Sequence, residues 1–165
     1  MKILYLVRHA KSSWKYPELD DFERPLNRRG RESLESMGEL LKELKAAPDL
    51  IISSPATRAA TTARSIAHRI DYPLEKILYT ESIYLSDADI LLHFIQDIDD
   101  DVKEAMIIGH NPALTDLGNY ISNQQIGNIP TCGIFCVEFS ISSWKKIVEG
   151  CGILKFFEVP RRRMS

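Results

Sequence analysis

Lys2-Ile3-Leu4-Tyr5-Leu6-Val7-Arg8-His9 decides how the rest of the chain is read. Its five consecutive apolar residues, rich in β-formers, fit a buried strand that runs straight into two cationic side-chain types. Two later stretches repeat the pattern. Asp49-Leu50-Ile51-Ile52-Ser53 leads into Ser54-Pro55, and Ala105-Met106-Ile107-Ile108-Gly109 leads into His110-Asn111.

Helical spacing fills the intervals. Asn27 suits the N-cap of a helix to about Ala47, with Leu34, Met37, Leu41 and Leu44 at steps of 3, 4 and 3 and Pro48 as a stop. Ser54-Pro55 reads as the N-cap and first-turn proline of a second helix, with Ala59, Ala63, Ile66 and Ile70 on one stripe and an end near Asp71. A short strand is expected around 77–79. Ser86, with Asp89 three residues on, reads as the cap of a helix bearing Leu91, Phe94, Ile95 and Ile98. Residues 113–122 form a short helical pattern, and 134–139 and 153–159 suit a final antiparallel pair. This alternation predicts an α/β fold: a three-layer α/β/α sandwich whose central sheet is mostly parallel, with an antiparallel strand near the C-terminus. With no repeat or linker, residues 1–165 read as one domain without a lid domain.

Composition bounds the function. A chain of 165 residues, 44% hydrophobic, can bury one sizeable core. A net charge of −2 excludes a globally basic nucleic-acid binder. No apolar run approaches a bilayer span, and the first run is too short for a signal-peptide core, so a soluble, cytoplasmic protein is expected. Cys132, Cys136 and Cys151 are odd in number and lack a disulfide framework or zinc-ligand spacing, which points to buried, reduced thiols and no metal site.

Ligands of open α/β sheets gather at the carboxyl ends of the strands. There the sequence offers Arg8 and His9 after the first strand, Arg58 in the first turn of the following helix, and His110 after the later strand. Two arginines, two histidines and a helix N-terminus suit a dianionic tetrahedral group such as phosphate. His68 and His93 lie on helices without such company. Lys11 and Ser12 adjoin the site by sequence.

Leu6-Val7-Arg8-His9-Ala10-Lys11-Ser12 is similar to the first signature of the histidine phosphatase superfamily, whose fold is phosphoglycerate mutase-like. Ser53-Ser54-Pro55-Ala56-Thr57-Arg58-Ala59 resembles its second motif and Gly109-His110-Asn111-Pro112 its third. Arg24-Pro25-Leu26-Asn27-Arg28-Arg29-Gly30, with Lys11-Ser12 and the short length, resembles the phosphohistidine phosphatase branch called SixA. The resemblance covers about residues 2–159. It implies the three-layer fold and places Arg8, His9, Arg58 and His110 around a phosphate. Glu81, in Tyr79-Thr80-Glu81-Ser82-Ile83, matches the place of the superfamily's proton donor.

The chemistry implied is covalent and needs no metal or other cofactor. A neutral His9 attacks phosphorus and water later releases the phosphate, while Arg8, Arg58 and a protonated His110 hold the oxygens. The partner expected is a phosphorylated protein carrying phosphohistidine. A small phosphate ester is the alternative substrate, with 11–25 and 121–132 shaping its cavity. A non-catalytic phosphoprotein-binding module is disfavoured because all four pocket residues are present. A mutase would need more covering structure to shield its intermediate from water.

Overall fold

A computed structural model describes residues 1–161. Six strands make one sheet in the order β3-β2-β4-β1-β5-β6. They are β1 (Lys2–Arg8), β2 (Leu50–Ser53), β3 (Leu78–Tyr79), β4 (Glu104–Gly109), β5 (Ile134–Phe139) and β6 (Ile153–Glu158). The first four are mutually parallel, β5 runs antiparallel to β1, and β6 antiparallel to β5. The expected α/β sandwich and its antiparallel C-terminal strand are both found. Residues 162–165 of the expected domain range lie outside the described residues.

Alternation along β1 explains the layers. Tyr5 and Val7 join a core with Leu34, Met37 and Leu41 of α1 (Arg28–Glu43) and Ala59, Ala63 and Ile66 of α2 (Thr57–Arg69). Leu4 and Leu6 face the other core, with Leu91 and Ile95 of α4 (Ala88–Gln96) and Leu114, Leu117 and Ile121 of α5 (Ala113–Ser122). Between β3 and α4 lies a single helical turn, α3 (Glu81–Tyr84), which periodicity did not foretell.

Several helix ends differ from expectation. Asn27 does cap α1, accepting from Gly30 N–H at 2.8 Å. The helix stops at Glu43, not near Ala47: Lys45 turns left-handed at φ 57°, and Ala46 N–H and Lys45 N–H close back on the carbonyls of Leu41 and Lys42. Leu44 is therefore 46% exposed, and Ala46 is buried beside the core in its stead. α2 begins at Thr57 because Ala56 is still extended (ψ 140°), and Ser54 is not its cap. Asp87, not Ser86, caps α4, its carboxylate accepting from Ile90 N–H at 2.9 Å.

The sheet register sets the site. Arg8 lies opposite Gly109, and Ser53 lies opposite both Ile108 and Tyr79. His9 N–H donates to the Gly109 carbonyl, Ser54 N–H to Ile108 and Thr80 N–H to Ser53, so the strand ends finish level.

Candidate active site

His9 is 7% exposed, and its Nδ1 lies 2.7 Å from the Ala10 carbonyl. A carbonyl only accepts, so Nδ1 carries the proton and Nε2 of the neutral ring keeps its lone pair. Ala10 is itself fixed. Its N–H donates to Thr62 Oγ1 at 3.0 Å, and the Thr62 hydroxyl donates to the Arg58 carbonyl at 2.7 Å, tying the end of β1 to α2. Cys132, at φ 63°, turns its N–H onto the carbonyls of Arg8 and His9.

The His110 ring stands 5.1 Å from that of His9, centroid to centroid. Its Nε2 lies 2.7 Å from Ser54 Oγ, and the Tyr84 ring meets it edge-on at 5.4 Å. Ser54 Oγ, which His110 meets across the strand ends, also accepts from Ala56 N–H at 3.2 Å, in the extended stretch just before α2 begins. Arg58 is the second residue of α2 and 5% exposed. Arg8 donates from Nη1 to the Ile129 carbonyl at 3.0 Å. The Nε atoms of Arg8 and Arg58 are both buried without a hydrogen-bond partner among the described residues. Such orphaned cationic donors are costly unless an anion meets them.

Burial above all pushes the His9 imidazole down to about 3; the Ala10 carbonyl pulls it up, while the charges of Arg58 and Arg8, and of His110 whenever it is protonated, push it further down. Burial, with Arg58 next, pushes His110 down to about 4, Asp21 opposing. The protonated His110 expected from the sequence is therefore not its state in the protein's own field near neutral pH. Burial also pushes the thiols of Cys132 and Cys136 up to about 12, so both are inert core groups.

The profile of the histidine phosphatase superfamily (branch 1) matches residues 4–78, the stretch from β1 to β3 that carries Arg8, His9 and Arg58. An uncharacterized protein of Mycobacterium leprae is 32% identical over 168 residues, covering 94% of this chain and 100% of that one. A candidate phosphohistidine phosphatase SixA from Agrobacterium tumefaciens superposes with a TM-score of 0.83 at 25% identity, over 96% of this chain and 98% of that one. The chain belongs to the histidine phosphatase superfamily. Its likeness within that superfamily runs to the SixA-type branch. The protein histidine phosphatase SixA complexed with tungstate shares the fold, with a TM-score of 0.81 at 19% identity over 96% of this chain and 97% of that one. Membership makes the chain a phosphatase acting on a phosphorylated substrate.

Within this histidine phosphatase, Arg8, His9, Arg58 and His110 lie at the carboxyl-end side of the sheet, after the central strands β1 and β4 and in the first turn of α2. Glu81 begins α3 on the same side, exposed to solvent. Lys11 and Ser12 serve the loop that follows β1. Lys11 accepts from Asn27 N–H, Ser12 Oγ accepts from Arg24 Nη1 at 2.7 Å, and a Cβ on Gly30 would fall 2.2 Å from the Lys11 carbonyl, so only glycine lets α1 approach. Sequence reasoning missed Asp21 and Tyr84. Asp21 lies 37 residues from Arg58 and 63 from Tyr84, and no local pattern signals contacts of that span. No helix among the described residues is long and apolar enough to cross a membrane.

The two depressed imidazoles make acid stability predictable. The unfolded chain binds their protons near pH 6.5, whereas the folded chain resists until about 4 and 3. Stability is therefore full above pH 6.5 and falls as pH drops toward 3, by up to about 1.4 kcal/mol per pH unit for each ring. The urea midpoint should fall between pH 6 and 4, less steeply in His9→Gln. A midpoint level across that range would contradict the buried, neutral state of both rings.

Proposed function

We propose that the chain is a metal-independent phosphohistidine phosphatase that takes the phosphoryl group from a histidine on a partner protein through a covalent phospho-His9. The observation that carries the covalent step is the tautomer of His9: Nδ1–H is held by the Ala10 carbonyl, so Nε2 is the nucleophile. As Nε2 bonds to phosphorus the ring becomes cationic, and the Ala10 carbonyl stabilises that charge. The phosphorus–nitrogen bond of the substrate breaks, its electron pair returns to the ring nitrogen, and the imidazole leaves neutral because its other nitrogen already carries a proton. Water then attacks phospho-His9, releasing phosphate and restoring the ring. Arg8 and Arg58 offer their orphaned Nε–H groups to the oxygens, where charge gathers in the transition state. A phosphoryl dianion between the two rings also favours a proton on His110, which its own surroundings withhold.

The protein substrate is supported by the likeness to the Agrobacterium tumefaciens SixA-type protein and by the economy of covering structure. The stretch from Arg58 to His110 is taken up by α2, β3, α3, α4 and β4. A turnover panel tests the proposal: a phosphorylated histidine phosphotransfer domain, free phosphohistidine and sugar phosphates. The phosphoprotein should give the highest kcat/KM. Faster turnover of a sugar phosphate would establish the small-ester alternative instead.

Metal independence has its own test. No group of three metal-capable side chains lies together among the described residues, and the charge of the transition state is met by guanidinium and imidazole. A chelator should leave kcat/KM unchanged. Activity lost to the chelator and restored by a divalent ion would overturn that part of the mechanism.

A further inference from the structure

Asp21 sits between β1 and α1, and through it that segment meets the pocket. Its carbonyl accepts from Arg58 Nη1 at 2.6 Å, and its Oδ2 accepts from Arg58 Nη2 at 2.9 Å. The same Oδ2 accepts from the Tyr84 hydroxyl at 2.8 Å. Its Oδ1 takes Arg24 through Nε at 3.3 Å and Nη2 at 3.1 Å, and Arg24 in turn reaches Ser12. Phe22 packs edge-on against Tyr84 with ring centroids 5.2 Å apart. One carboxylate thus joins the loop after β1, the first turn of α2 and α3.

The consequence for Arg58 is geometric. Its side chain is 7% exposed, and among the described residues Asp21 is the sole hydrogen-bond partner of its guanidinium. Held at both terminal nitrogens, the planar group cannot turn, and the edge that carries Nε is left without a protein acceptor. An isolated surface ion pair would matter little. This pair differs because the cation is buried and the anion is anchored by two further donors, so the grip fixes a direction. A donor fixed in advance loses less freedom when its anion arrives.

We propose that Asp21 is a positioning residue of the phosphate pocket: by gripping both Nη groups of Arg58 it aims the Nε edge at the phosphoryl group beside His9. The proposal rests on the phosphatase reading of the pocket and holds for a protein or a small-molecule substrate alike. Burial alone would raise the Asp21 carboxyl. Hydrogen bonds from Tyr84 and Arg58 outweigh it and hold the group down at about 2, so the grip persists at any ordinary assay pH.

The test is a double-mutant cycle read by orthovanadate binding to the full chain, with thermal midpoints showing that each variant is folded. Asp21→Ala should weaken vanadate about 10- to 100-fold, as for a lost hydrogen bond to a charged group. Asp21→Asn keeps the shape and one acceptor, and should lose less. In an Arg58→Met background, which retains the buried stem, Asp21→Ala should add less than about twofold, because the residue it acts through is gone. Equal losses with and without Arg58, or unchanged binding in Asp21→Ala, would overturn the proposal; if Asp21→Ala does not fold, Asp21→Asn in the same cycle decides. A wild-type chain that binds no vanadate refutes the phosphatase reading itself. One that binds vanadate but prefers sugar phosphates refutes only the protein substrate, and the cycle still decides on Asp21.

Discussion

His9→Ala should abolish turnover while the pocket still binds phosphate. In the proposed mechanism the nucleophile and the anion binders are different groups: Nε2 of His9 would form the bond, whereas the orphaned donors belong to Arg8 and Arg58. The substitution therefore deletes chemistry and spares binding. Steady-state rates with vanadate or phosphate affinity measured side by side check both halves. A variant that keeps even about 1% of the wild-type rate would contradict covalent catalysis at His9.

Glu81→Gln should have an effect that depends on the leaving group. Glu81 opens α3 at the sheet edge where β3 ends, and α3 packs on the site through Ile83 near Gly109 and Tyr84 against His110. An alkoxide leaves poorly without a proton, so hydrolysis of an alkyl phosphate should fall toward the ~10²–10⁴-fold typical of a lost general acid. An aryl phosphate should fall less. Imidazole departing from phosphohistidine needs the least help, and its loss should be modest. Rates for the three substrates, wild type against variant, make the comparison. Equal losses across them would assign Glu81 to binding or structure, and a large loss on phosphohistidine would show that proton transfer limits that reaction too.

The parts of the fold legible in the sequence are those that burial dictates locally. The apolar runs at β1, β4 and β5 and the helical stripe of α5 fall within a residue or so of the expected limits, because each must face a core on one side or both. Helix starts are less legible, because the chain can stay extended past a residue with capping composition. Ser54 has that composition, yet its hydroxyl accepts from Ala56 N–H and the backbone turns helical only at Thr57. α3 is four residues long, too short to show a period, and it carries Tyr84 into the site.

For the site, strand ends and an arginine in a first helical turn single out Arg8, His9, Arg58 and His110 as a candidate group. The register then explains why they converge: Arg8 opposite Gly109 and Ser53 opposite Ile108 bring the strand ends level. What holds Arg58 in place was not legible, since Asp21 is one loop acid among several in 18–23 and its partners are remote in sequence. The resting state of His110 is not legible for a related reason: charge demand in the reaction suggests a proton, whereas burial and Arg58 oppose one in the chain's own field.

The central claim is that phosphate passes through His9, and rapid acid-free quenching of a single turnover tests it most directly. With isotopically labelled phosphohistidine protein, the chain should carry label within the first turnover, and peptide mass spectrometry should place one acid-labile phosphoryl group on His9. Label that never appears on the enzyme, or that resides on any other residue, would contradict the mechanism.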